Sequence, residues 1–133
     1  MDTSTKAVMH ECTKRSDEHS MSFPEVVGKL MQVGVERYHA DLRRGEKTYY
    51  LPSGESLVTP TDLVAGEPPA AFSAENVAAA VKAIQRNAID YVEFCRRIVA
   101  AGCVDYVVSI VGRRAIYSGR TGDCYVEPFP AAA

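Results

Sequence analysis

The sequence has no excess of basic charge. Lys and Arg number 15 against 17 Asp and Glu, a net of −2. Such a chain carries no overall basic field to gather nucleic acid or an anionic membrane surface. Its basic pairs (Arg43-Arg44, Arg96-Arg97, Arg113-Arg114) do not form a stripe, so nucleic acid is not an expected partner. It also has no apolar run approaching the ~18 residues of a membrane span. The opening MDTSTKAVMHEC lacks an apolar h-region, so no secretory signal is expected. The four cysteines, Cys12, Cys95, Cys103 and Cys124, include no C-x-x-C pair, which argues for free thiols and a reducing cytoplasm. Cys95 and Cys103 sit among apolar neighbours and read as small buried hydrophobes.

Several reactive patterns are missing too. No Ser, Thr or Cys has a distinctive elbow or neighbour that would make it a nucleophile. Gly119-Arg-Thr-Gly122 lacks the Lys-Ser/Thr and helix of a phosphate loop and reads as a hairpin turn. His10 and Cys12 would point about 200° apart on a helix, so with His19 they do not make a zinc site. No metal and no cofactor is expected.

What is there is an ordinary globular composition, 47% hydrophobic and 24% charged, in 133 residues, enough for one domain with a core. A first helix is expected over about Thr3 to Glu18, with a thin stripe of Val8, Met9 and Cys12. Ser22-x-x-Glu25 is a capping-box pattern, followed by Val26, Val27, Leu30 and Met31 at helical spacing and by Gly34 as terminator. Val35 to Leu42 alternates polar and apolar residues as a half-buried strand does. Lys47–Pro52 and Glu55–Thr59 follow as strands, separated by the turns at Gly45 and Gly54. Residues 60–73 read as a connection and Ala74 onward as a linking helix capped by Ser73, with Val77, Val81, Ile84 and Ala88 on one face. This Ala-rich helix suits tight core packing or a dimer contact.

Then the pattern returns. Asp90-x-x-Glu93 is a second capping-box pattern, Phe94, Cys95, Ile98 and Val99 the apolar face, Gly102 the terminator and Cys103–Val111 the strand. A shift of 68 positions superposes Glu25 on Glu93, Gly34 on Gly102, Tyr38 on Tyr106, Tyr49 on Tyr117 and Gly54 on Gly122. The expectation is a single α+β domain, an antiparallel sheet with helices packed mainly on one face. It is built from two similar helix-plus-three-strand units, about 22–59 and 90–127, related by a pseudo-twofold axis. Cys103–Val111 is apolar on both faces, so it is expected to be central and covered on both sides.

The stretch DYVEFCRRIVAAGCVDYVV, Asp90–Val108, resembles the signature of the YbcV-like family of small bacterial and phage-associated proteins, some labelled "phage envelope protein". Tyr91, Glu93, Phe94-Cys95, Ile98-Val99, Ala101-Gly102 and Tyr106 carry the likeness, which is best over about residues 75–127. These positions are mostly cap, core and terminator, so the resemblance implies a fold and brings no activity, cofactor or catalytic residue with it.

The candidate site lies in the first unit. Arg37, His39, Asp41 and Arg43 share one face of a strand, successive pairs about 7 Å apart. His39 beside Asp41 suits an imidazole–carboxylate pair for acid–base work, with Arg37 and Arg43 to hold an anionic small molecule. Tyr49 or Tyr50 could add a hydroxyl, depending on register. Alternating charges on a half-exposed strand also serve solubility alone. The reading that follows is a non-catalytic binding or interaction module that self-associates. The alternative is a small-molecule sensor or enzyme using the His39/Asp41/Arg face.

Overall fold

A computed structural model describes residues 1–61 and 66–130. The core of the expected connection, residues 62–65, lies outside them. The chain runs α1 (Thr3–Asp17), α2 (Phe23–Gln32), β1 (Arg37–Asp41), β2 (Glu46–Tyr50), β3 (Ser56–Pro60), α3 (Ala74–Gln85), α4 (Tyr91–Ala100), β4 (Cys103–Ser109), β5 (Arg114–Gly119) and β6 (Cys124–Pro128). The six strands form one antiparallel sheet in the order β3-β2-β1-β4-β5-β6. The helices cover one face, where Tyr38, Ala40, Tyr49, Tyr106, Val108, Ala115 and Tyr117 are buried. This is the expected α+β architecture.

The helix ends are made by local chemistry. The Ser22 side chain accepts from the Glu25 N–H and the Glu25 carboxylate accepts from the Ser22 N–H, a complete capping box. The second pattern is only half made. Asp90 accepts from the Glu93 N–H at 2.8 Å, but the Glu93 carboxylate turns to Arg96 and Arg97 at 2.6 and 2.9 Å. Two guanidiniums one helical turn away outcompete a single backbone N–H.

The shift of 68 holds throughout the sheet. It carries the β1–β2 pair Arg37↔Tyr50 onto the β4–β5 pair Asp105↔Ser118, and the β2–β3 pair Glu46↔Pro60 onto the β5–β6 pair Arg114↔Pro128. The central β1–β4 ladder maps onto itself, Arg37↔Ser109 becoming Asp105↔Asp41, with His39 opposite Val107 at its midpoint. The same shift takes residues 6–17 of α1 onto all of α3, and α2 onto α4. The buried Met9, Cys12 and Thr13 of α1 correspond to Val77, Ala80 and Val81 of α3. Each of these helices packs on the next helix and on the outer strand of its half. The helix expected merely to link the halves is therefore the counterpart of α1. The thin stripe of α1 had hidden that correspondence.

One expectation is corrected. β4 is central, but its second face is not covered: Val107 is half-buried and Val111, beyond the strand, is 80% exposed. Among the described residues, the cross-strand neighbours beside Val107 on that face are His39 and Ile116.

Candidate functional site

The expected strand-face residues are found on the open side of the sheet, and they do not converge. His39 Nε2 lies 3.1 Å from Asp105 Oδ2 on β4, so the imidazole's carboxylate neighbour comes from the other half of the molecule and is not Asp41. Asp41 Oδ1 instead accepts from the backbone N–H groups of Arg43 and Arg44, both at 2.9 Å, and ties the following turn. Arg43 sits in that turn, exposed, with its guanidinium 3.9 Å from Glu67. Arg37 lies over the Tyr50 ring at 3.9 Å, which decides the register question for the tyrosines. Tyr50 shares the open face, while Tyr49 points the other way and is 1% exposed. None of these residues lines either of the two cavities described for the molecule.

The larger cavity, about 330 Å³, lies on the helix side of the sheet where the two halves meet. Six pairs of its lining residues are related by the shift of 68: Ser16 with Ile84, His19 with Asn87, Phe23 with Tyr91, Val26 with Phe94, Tyr38 with Tyr106, and Lys47 with Ala115. His19 and Asn87 occupy equivalent left-handed positions, φ 53° and 59°, just past α1 and α3. Four of the six pairs, those from His19/Asn87 to Tyr38/Tyr106, give the cavity a matched, largely aromatic wall. Two pairs break the match: a serine stands where the other half has an isoleucine, and the one charge difference is a lysine where the other half has an alanine.

Lys47 reaches this position through the period of β2. It is two residues from Tyr49, opposite Ala40 on β1 and Thr59 on β3, and so shares their buried face. Only 3% of it is exposed. Its Nζ lies 4.6 Å from the Tyr91 ring centre and 5.9 Å from that of Tyr38, a cation–π setting. Burial pushes its pKa down, and the negative charge of Asp17 pulls it back up. The Tyr91 and Tyr106 hydroxyls hydrogen-bond to each other across the cavity wall. Burial raises the pKa of Tyr38, Tyr91, Tyr106 and Tyr117, keeping all four phenols neutral. Tyr106 and Tyr117 rings pack 5.2 Å apart, and Phe94 meets Tyr117 edge-on at 6.2 Å.

Tyr49, offered by the sequence as a ligand-facing hydroxyl, is committed elsewhere. Its hydroxyl bonds Thr13 Oγ1 at 2.6 Å, and the same Thr13 oxygen bonds Thr59 Oγ1 at 2.7 Å. The second half places Tyr117, Val81 and Glu127 at the corresponding positions. Lys47 escapes a reading of the sequence because a lysine flanked by Glu46 and Thr48 reads as solvent-facing. Its two-residue spacing from Tyr49 was the available signal.

Burial disfavours the thiolate form of three of the four cysteines. Cys12, Cys95 and Cys103 are buried and free, and burial pushes them up to about 11, 11 and 12; Cys124 is free and exposed. Among the described residues no three His, Cys, Asp or Glu side chains group as metal ligands. No helix among them is long and apolar enough to cross a membrane.

Compared with known families, residues 10–128 match the family described as protein of unknown function (DUF1398), and the chain belongs to that family. No curated protein matches it.

Proposed function

We propose that this member of the DUF1398 family is a non-catalytic binding module. Its ligand is a small molecule with a ring-bearing apolar body and an acidic head group, taken into the cavity between the halves. The supporting observation is Lys47, a buried cation in an aromatic cavity of about 330 Å³. Ligand sites are typically concave, mostly apolar pockets of roughly 300–1,000 Å³ with a few convergent polar groups. This volume suits a one- or two-ring ligand. A carboxylate seated at Nζ would form a charge-assisted bond in a low-dielectric site, where such bonds are strongest. The neutral Tyr91–Tyr106 hydroxyl pair offers a further donor. The resemblance of Asp90–Val108 to YbcV-like proteins fits this reading, since that signature supplies cap and core around the cavity and no reacting group.

The alternative of an acid–base site at His39 and Asp41 has less support, because Asp41 is engaged by the turn and the face is open. The test is a thermal-shift and calorimetric series. Aromatic monocarboxylates are compared with their neutral amides on the wild type, Lys47→Met and His39→Ala. Wild type and His39→Ala are expected to bind an acid of the series and to discriminate against its amide. Lys47→Met is expected to lose about tenfold or more in affinity, the worth of one charged hydrogen bond. If no acid stabilises the wild type, or if Lys47→Met binds as well, the proposal fails.

A further inference from the structure

The open face of the sheet carries an ordered pattern. Its middle row, read across the strands from the ladder registers, is Val58, Thr48, His39, Val107, Ile116 and Val126. The outermost members are 49% and 42% exposed, so the band is not covered within the chain. On one side of it runs an acidic row, Glu46, Asp41 and Asp105, on three adjacent strands. On the other side are Arg37 and Arg114. Local partners already touch some of these groups: Arg44 on Glu46, His39 on Asp105 and Glu36 on Arg37. The acidic and basic sides nonetheless stay separated by this row, apolar at Val58, Val107, Ile116 and Val126 and polar at Thr48 and His39.

We infer that this face is the docking surface for a second copy of the chain, joined face to face by a twofold axis parallel to the apolar row. Such an axis lays each middle-row residue on its own counterpart and turns the acidic side of one copy toward the side of the other that carries Arg37 and Arg114, with Asp41 opposite an arginine, Glu46 opposite Tyr50 and Asp105 opposite Ser109. Asp41 then meets the partner copy's residue 37, and Arg37 meets its residue 41. A twofold axis parallel to the strands would lay acid on acid, so the charge pattern selects one geometry. The size is adequate. Six strands about 4.8 Å apart and five residues about 3.3 Å long each give a plan area of roughly 500 Å² per copy. The pair would bury about 1,000 Å² in all, the threshold of a specific interface. Two sheets packed this way would sit about 10 Å apart. The inference is independent of the cavity, which lies on the other side of the sheet.

The test is sedimentation equilibrium of the full chain over a concentration series. Far-UV circular dichroism checks that every variant is folded. The wild type is expected to dimerise. Val107→Lys, in the middle row, and Arg37→Glu are each expected to weaken the dimer at least tenfold. Asp41→Arg should also be monomeric, since it meets Arg37 of its partner. Mixing the Arg37→Glu and Asp41→Arg chains restores both contacts in the heterodimer, so the mixture is expected to sediment as a dimer where neither chain alone does. A wild type that stays monomeric up to its solubility limit would overturn the inference. So would a dimer indifferent to Val107→Lys and Arg37→Glu, which would place the contact on another surface.

Discussion

At the scale of single residues, the buried hydroxyl cluster shows how the two halves diverge without changing shape. Thr13 bridges Tyr49 and Thr59, and its counterpart in the second half is Val81, of nearly the same volume. Thr13→Val should therefore fit sterically and lose only polar contacts. It removes two hydrogen bonds and leaves the Tyr49 hydroxyl buried without its Thr13 partner. The expected loss is about 2–3 kcal/mol, seen as a lower urea midpoint with an unchanged slope. A neutral result would mean that the hydroxyls find other partners. The same comparison of equivalent positions singles out Lys47 against Ala115. That contrast is legible once the halves are aligned, but not that the position opens into a cavity which Phe23, Tyr91 and Phe94 of α2 and α4 also line.

At the scale of elements, the terminators of α2 and α4 test how much of the repeat is intrinsic and how much is imposed by neighbours. Gly34 and Gly102 both adopt left-handed backbone, φ 81° and 99°. Only the second is crowded. A Cβ on Gly34 meets nothing within 4 Å, whereas one on Gly102 would overlap the Ala71 carbonyl oxygen and lie 2.9 Å from Phe72 Cα. Gly34→Ala should cost about 1–2 kcal/mol, the penalty of a left-handed alanine. Gly102→Ala should cost about 3 kcal/mol beyond that, from overpacking against backbone. Denaturant melts of the two variants give the comparison, and equal losses would contradict the close approach. The sequence marked both glycines as terminators, because a C-terminal cap is a local device. The crowding at Gly102 comes from the segment before α3, which no spacing rule reaches.

At the scale of the whole molecule, the core couples stability to alkaline pH. Cys12, Cys95 and Cys103 are raised from 9.0 to about 11, 11 and 12, and five buried tyrosines are raised as well. A group whose folded pKa lies above its unfolded value contributes stability that is fully present below the unfolded pKa. That stability is lost as pH rises through the folded pKa. Lys47 acts in the opposite sense, its folded pKa being lowered, but it is one group against eight. Unfolding free energy should therefore be level near neutrality and fall from about pH 9 upward. For Cys95 the shift of about two units corresponds to roughly 3 kcal/mol at the far end of the window. Cys95→Ala should flatten the decline by about that amount in urea melts at pH 8 to 11. An unchanged slope would show that the thiol ionises without unfolding.

The sequence by itself determined the elements, their caps and terminators, the α+β class and the 68-residue recurrence. All of these are short-range devices, written in neighbouring residues and in the periods of helix and strand. It also determined that Lys47 shares a strand face with Tyr49. The tertiary structure alone decided what those faces meet. It paired His39 with Asp105 across the midpoint of the sheet and left Asp41 to its turn. It made the two αα-plus-three-strand halves enclose a cavity, and it laid the apolar row of the open face between an acidic and a basic side. The physical reason is that a side chain's surroundings depend on strand order and on helices distant in the sequence. The strand order β3-β2-β1-β4-β5-β6 is a long-range choice that local spacing does not encode.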